Sequence, residues 1–143
     1  MIHSAEEFIA LRDSDNKEEY DRSAFEEAPL AVWRDLIQRY PDYRRWVAHN
    51  KTVPVEILAE LCNYGPDIRQ FVATKRRLSR ELFILLSQDP AATVRQSIAA
   101  NKKTPLDILQ SLAKDEDADI ADSATRNAGK RSCGANGLLS ARK

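Results

Sequence analysis

The sequence predicts an all-α protein: a short α-solenoid, a superhelical array of two-helix repeats, that follows an N-terminal helical cap. Three observations predict this class. Prolines recur at steps of 24–25 residues or twice that step, and apolar side chains recur at 25–26 residues. No segment alternates apolar and polar residues as a strand does. Hydrophobic residues make up 43% of the 143-residue chain, which is enough for a folded core.

The repeats are assigned to residues 29–127, with a step of about 25 residues. The two proline series are Pro29, Pro54 and Pro105, and Pro41, Pro66 and Pro90. The apolar series are Val47, Val72 and Ile98; Leu58, Phe83 and Leu109; and Leu61, Leu86 and Leu112. Trp33 precedes the second apolar series by one step, so we expect its indole in the core.

Each repeat is predicted to form two short helices. In the third repeat, the first helix covers residues 91–100 and the second ends near Lys114. Thr104 is expected to cap the second helix, with Pro105 in the first helical position and Asp107 in the first turn. Helices of about ten residues are marginal alone, so each repeat must stack on its neighbours.

The two ends of the chain differ from the repeats. Ser4 and Glu7 form a capping-box pattern before an apolar helix, and a second helix is expected around Lys17–Phe25. We therefore assign residues 1–28 to a helical cap. Residues 128–143 contain three of the four glycines and little apolar periodicity, which predicts a flexible tail.

Two stretches carry a more specific pattern: residues 46–61 read WVAHNKTVPVEILAEL, and residues 94–115 read VRQSIAANKKTPLDILQSLAKD. This pattern resembles the leucine-rich repeat variant family of HEAT-like α-solenoids. The resemblance implies a superhelix of alternating short and longer helices. Repeats of this kind are mostly protein-interaction surfaces, and many occur in bacteria. Some similar small proteins look like immunity partners of secreted toxins. The iron–sulfur cluster of the founding example is not carried over, because this chain has only two cysteines, Cys62 and Cys133.

Composition and motifs exclude several classes. The 22 basic and 22 acidic residues cancel, which excludes a globally basic nucleic-acid binder. No apolar run approaches the roughly 18 residues of a membrane span, and the first residues show neither a basic leader nor an apolar signal core, so we expect a cytoplasmic protein. No nucleotide-binding loop, zinc-protease helix or nucleophile elbow occurs, so we expect no enzyme activity, cofactor or metal.

Two sets of polar residues each occupy equivalent positions of the repeat, which we call slots, and each set allows more than one interpretation. The asparagines of one slot either cap helix ends, which we favour, or form a ladder for a bound peptide backbone. They are Asn50, Asn101 and Asn127, with Lys75 in the second repeat. The arginines of the other slot, which we expect to bond loop carboxylates or carbonyls, are Arg44, Arg69 and Arg95. His49 is interpreted as a turn histidine and Cys62 as an unreactive thiol.

Charge is distributed unevenly along the chain. Residues 1–42 carry a net charge of −6 and residues 43–103 a net charge of +6. The bases of the second segment recur in the turns of successive repeats, and two aromatic side chains share a slot that later holds serine. Together these residues form the predicted partner-binding site: Lys51, Lys75, Arg76, Arg77, Lys102, Lys103, Trp46 and Phe71. Two alternatives are equally favoured: the aromatic pair packs against the N-terminal cap, and the turn bases form a solvated charged edge.

These features predict a non-enzymatic protein-interaction module that binds an acidic protein or peptide through a basic repeat face. A bacterial immunity or adaptor protein is a special case of this hypothesis. The alternative is a module that binds the phosphate backbone of a nucleic acid along the same bases. The acidic cap, the zero net charge and the scarcity of aromatic residues for stacking make the alternative less favourable. The pattern makes no prediction of oligomeric state.

Overall fold

The computed structural model describes the backbone of residues 1–142 and the side chains of residues 1–131. All regular structure in this part of the chain is helical, as the all-α class requires. Two compact units divide the chain, Met1–Val72 and Ala73–Lys143. None of the described helices combines the length and the hydropathy that a membrane span needs.

The first unit contains six α-helices and one 3-10 turn among its described residues. The α-helices are α1 (Ala5–Arg12), α2 (Lys17–Phe25), α3 (Leu30–Arg39), α4 (Arg44–His49), α5 (Val55–Leu61) and α6 (Pro66–Ala73), and the 3-10 turn is Pro41–Tyr43. Helix α1 packs against α2 and α3, while α3, α4 and α5 contact one another. The core of this unit therefore lies between the cap and the first repeat helices.

The start of α1 shows the capping pattern expected from the sequence. The Ser4 hydroxyl accepts a hydrogen bond from the Glu7 amide at 3.0 Å, and the His3 amide donates to the Glu7 carboxylate at 2.7 Å. Phe8 then places its ring edge-on against Trp33, with 5.5 Å between the ring centroids, and both are almost fully buried. This contact attaches α1 to α3, and Trp33 is a core residue as predicted.

The second unit is built from four described helices: α7 (Arg80–Ser87), α8 (Ala92–Ala100), α9 (Leu106–Leu112) and α10 (Ala118–Arg142). Helices α7, α8 and α9 contact one another, and α10 packs on both α8 and α9. Phe83, Ile98, Leu109 and Ile120 are among the side chains buried at these contacts. Each comes from a different helix, so all four helices contribute to the core.

The helices begin at positions that follow the step found in the sequence. Helices α3, α5, α7 and α9 begin at residues 30, 55, 80 and 106, and helices α6, α8 and α10 begin at residues 66, 92 and 118. Leu58 is buried in the first unit, and Phe83 and Leu109 are buried in the second. These three positions, one repeat apart in the sequence, therefore share the same place in a helix and the same degree of burial.

The start of α9 differs from the prediction. Pro105 is the N-cap residue itself, and the helix begins at Leu106. The buried Thr104 hydroxyl donates to the Ile98 carbonyl at the end of α8, at a distance of 2.7 Å, and is therefore not a helix cap. Pro54 precedes α5 in the same way. Asp107 does lie in the first turn of α9, as expected from the helix dipole.

Helix α10 extends through residue 128, where the sequence analysis places the start of a flexible tail. Residues 128–131 are helical, and the Arg131 guanidinium donates to the carbonyl oxygens of Thr104 and Lys102. The side chains of residues 132–142 and all of Lys143 lie outside the described part. The prediction of a flexible tail for residues 132–143 therefore concerns a segment that is not fully described. The described residues of α10 thus belong to the packed part of the second unit.

Candidate partner-binding surface

The eight predicted site residues fall into both units. Trp46, Lys51 and Phe71 belong to the first unit, and the other five belong to the second. Trp46 and Lys75 are half-buried, while the remaining six are exposed. The basic residues of the second unit lie on the turns that follow α6 and α8.

A first groove of about 270 Å³ brings two of the predicted bases of the second unit together. Its lining residues are Thr74, Arg76, Ser97, Ala100, Asn101 and Lys102. Ser97 is equivalent, in the sequence repeat, to Trp46 and Phe71. This groove is therefore lined both by bases of the predicted site and by the position that holds an aromatic residue earlier in the chain. No acidic side chain lines it.

A second groove of about 410 Å³ shares Ala100 and Lys102 with the first. Helix α10 supplies its other lining residues, which are Ser123, Arg126, Asn127, Lys130 and Arg131. These positions follow the i, i+3, i+4, i+7 spacing of one helix face. Four of the seven lining residues are basic and none is acidic, so the second groove favours an anionic ligand.

The cations of the two grooves differ in how they are held. Arg126 pairs with Asp122 one turn away at 2.6 Å, and Arg131 is bonded to backbone carbonyls. In contrast, the side chains of Arg76, Lys102 and Lys130 form neither a hydrogen bond nor an ion pair with any described residue. These three charges are therefore available to neutralise a partner's carboxylates.

Sequence reasoning missed the three α10 bases that line the second groove, Arg126, Lys130 and Arg131. Residues 128–143 were assigned to a tail, and residues 104–143 have equal numbers of acids and bases. The signal was present in the spacing of Ser123, Arg126, Asn127 and Lys130. That spacing predicts one helix face, and two of the four residues are cationic.

The asparagine slot binds backbone carbonyls of the preceding repeat. The Asn101 amide nitrogen donates to the carbonyls of Ala73 and Lys75 at 2.9 and 2.7 Å. The Asn127 amide nitrogen donates to those of Ala99 and Asn101 at 2.9 and 3.0 Å. Asn50 makes the equivalent bonds within the first unit, to Ser23 and Glu26. These amides are occupied by the protein's own backbone, which supports the structural interpretation of the slot.

The arginine slot also has a structural role where its bonds are described. Arg44 donates to the Ile37 carbonyl at 2.7 Å and lies over the Tyr64 ring. Arg95 donates to the Asp89 carbonyl and forms a largely buried ion pair of 2.9 Å with Asp115. Burial alone raises the pKa of Asp115, but bonds from Arg95 and from the Asp117 amide hold that pKa below its ordinary value.

Trp46 packs against the N-terminal cap. The Arg12 guanidinium lies between two rings, 3.4 Å from the Trp46 centroid and 4.1 Å from the Tyr20 centroid. Arg45 lies over Trp46 at 5.0 Å and over Phe71 at 5.6 Å. We call these five residues the stacked column.

The two remaining candidates, His49 and Cys62, make contacts with neighbouring side chains and backbone. His49 is exposed and places its ring edge-on against Trp46 at 5.8 Å, and the buried Cys62 thiol donates to the Leu58 carbonyl at 3.4 Å. Within residues 1–131, no group of three or more His, Cys, Asp or Glu side chains is placed to hold a metal ion. No protein-family model, curated protein or solved structure matches the chain.

Proposed function

We propose that this protein is a non-enzymatic interaction module and that its second unit binds an acidic segment of a partner protein in the two basic grooves. We further propose that its repeats stack as a short α-solenoid of the leucine-rich repeat variant kind, which the regular spacing of the helix starts supports. A role as a bacterial immunity or adaptor protein is a special case of this proposal. The proposal rests chiefly on one observation: Arg76, Lys102 and Lys130 line adjoining grooves that contain no acidic side chain.

Charge in the grooves favours carboxylates for a physical reason. Bringing three bases to one surface without acidic partners costs electrostatic free energy, and an acidic ligand relieves that cost. The bases are exposed, so each ion pair contributes little alone, about 0–1 kcal/mol. Several pairs formed together accelerate the encounter and select against basic or neutral partners.

The lining of the grooves favours a protein over a nucleic acid. No aromatic ring lines either groove, so unpaired bases have no stacking platform. The chain has zero formal net charge and an excess of six acids in its first 42 residues, which opposes the approach of a long polyanion. A partner protein that presents a short acidic segment avoids this repulsion.

The experiment is a calorimetric titration of the full chain at low salt with a capped oligoglutamate peptide and, separately, with a short DNA duplex. We expect the peptide to bind and the duplex to bind more weakly. In the double variant Arg76→Glu/Lys102→Glu, we expect the peptide affinity to fall at least about tenfold. The matched control is Lys114→Glu, which reverses an exposed charge of the same unit outside both grooves.

Three results contradict the proposal. If the double variant binds the peptide as the unmodified chain does, the grooves are not the site. If Lys114→Glu weakens binding equally, the attraction depends on net charge and not on the grooves. If the duplex binds more tightly than the peptide and loses affinity steeply with salt, the nucleic-acid alternative replaces the protein partner.

A further inference from the structure

Arg45 differs from most arginines of the first unit in how its guanidinium is held. Arg22, Arg34 and Arg39 form ion pairs with carboxylates, and Arg44 donates to a carbonyl. Arg45 forms no hydrogen bond or ion pair with any residue in the described part of the chain. Its guanidinium carbon lies 5.0 Å from the ring centroid of Trp46 and 5.6 Å from that of Phe71.

An arginine that lies near two rings and has no described hydrogen-bond partner keeps its N–H donors available. The planar fork of donors on a guanidinium matches the two oxygens of a carboxylate. The rings also restrict the rotamers of the side chain, so less conformational entropy is lost when a ligand binds. Arg12 holds Trp46 from the cap side at 3.4 Å, which fixes the ring on which Arg45 rests.

We propose that the stacked column is a second binding site, for a partner-protein segment in which an Asp or Glu carboxylate stands next to an aromatic or aliphatic side chain. The carboxylate accepts hydrogen bonds from the edge of Arg45. The apolar neighbour packs on the ring of Phe71, which is 39% exposed. The site lies in the first unit and does not depend on the grooves of the second.

The charge around the column favours an isolated carboxylate over a dense polyanion. Residues 1–72 contain 14 acidic and nine basic side chains, and the first turn of α2 contains Glu18 and Glu19. A phosphate backbone or an acid-rich stretch is repelled by this excess. A single carboxylate can form a bidentate bond with Arg45, and it is repelled less by the acidic side chains of this unit than a polyanion is.

The test is an NMR titration of the full chain with the capped dipeptide N-acetyl-Asp-Phe-amide. We expect saturable shifts of the Trp46 indole N–H and the Arg45 Nε–H signals. The matched probe N-acetyl-Asn-Phe-amide has the same shape without the charge, and we expect it to bind about tenfold more weakly, since it loses a charge-assisted hydrogen bond.

Two variants make the test specific. Arg45→Met keeps an unbranched side chain over the rings without donors, and we expect it to weaken binding of the Asp dipeptide about tenfold. Arg34→Met, which removes an exposed arginine of the same unit, is expected to bind as the unmodified chain does. Equal binding of the two dipeptides, unchanged binding by Arg45→Met, or absence of shifts at Trp46 overturns the proposal. If the shifts occur at Arg76 and Lys102 instead, the grooves bind this ligand and the column does not.

Discussion

Asn101 shows how one side chain connects two successive repeats of the second unit. Its amide nitrogen donates to two carbonyls, and its oxygen accepts a bond from the Lys103 amide at 2.9 Å. The side chain is 7% exposed, so water cannot replace these bonds without opening the structure. The polar atoms of this residue are therefore satisfied inside the protein, and the residue contributes to stability.

We expect Asn101→Ala to lower the free energy of unfolding by about 2–3 kcal/mol, because it removes the donor from one buried and one part-buried hydrogen bond to a carbonyl. Urea unfolding followed by circular dichroism measures the change. Asn63→Ala is the control, since Asn63 is exposed and its side chain makes no described hydrogen bond; its effect should stay within about 0.5 kcal/mol. Equal effects of the two substitutions would show that the asparagine bonds do not stabilise the repeat.

Asp115 gives the stability of the second unit a dependence on pH. Because Arg95 and the Asp117 amide bond its ionised form, its pKa in the folded chain lies below the value of about 3.9 in an unfolded chain. The unfolded chain therefore takes up the proton first. The stabilisation is present above about pH 4 and is lost as the pH falls through the folded-state pKa.

Asp115→Asn removes this titration. We expect the variant to be less stable than the unmodified chain at pH 7, and the difference between them to shrink as the pH falls to about 3. Unfolding by urea across this pH range is the measurement, with Glu116→Gln, an exposed neighbour, as the control. A difference that stays constant with pH would mean that the Arg95 pair does not shift the pKa of Asp115.

At the level of elements, helix α1 completes the core of the first unit. Its buried face comprises Ala5, Phe8 and Leu11, and Phe8 meets Trp33 of α3 edge-on. An aromatic pair of this geometry adds about 0.5–1.5 kcal/mol to the burial of its apolar area. The acidic cap is thus held by apolar packing, although its charge is its most visible feature in the sequence.

We expect Phe8→Ala to destabilise the protein by about 3–5 kcal/mol, the usual cost of truncating a buried phenylalanine. The control is Phe25→Ala, because Phe25 is 61% exposed and its removal should cost less than about 1 kcal/mol. Thermal unfolding monitored by tryptophan fluorescence compares the two variants. Similar losses in both would indicate that α1 does not pack on α3 in solution.

The helices were more predictable than the grooves. Periodic apolar residues fix which faces are buried, so the spacing of Leu58, Phe83 and Leu109 was sufficient to predict that all three are buried. That they line one shared interior stays a prediction. The role of the Thr104 hydroxyl depends on its neighbours: it caps a helix if it accepts from a free amide, and it does not if it donates to the Ile98 carbonyl. That choice is made by the three-dimensional arrangement of the turn, which one-dimensional spacing does not specify.

On the scale of the whole molecule, zero net charge conceals two units of opposite sign. Residues 1–72 contain 14 acids and nine bases, whereas residues 73–143 contain eight acids and 13 bases. Salt at 0.15 M limits interactions between exposed charges to about 8 Å, so a partner responds to the unit it approaches and not to the total. The sequence predicted a different division, with the acidic excess in residues 1–42 and the basic excess in residues 43–103. The grouping of Lys102 with Lys130 required the packing of α10 on α8.

The asparagine bonds also constrain how the length of this chain can change. Asn101 and Asn127 each bond carbonyls 26 and 28 residues earlier, so both amides require the same chain length between themselves and their acceptors. An insertion of one residue between positions 102 and 126 would carry Asn127 away from its acceptors. Duplication of a complete 26-residue block such as 102–127 would instead supply a new asparagine in register. Evolution or an engineer can therefore lengthen this protein by whole blocks far more easily than by single residues.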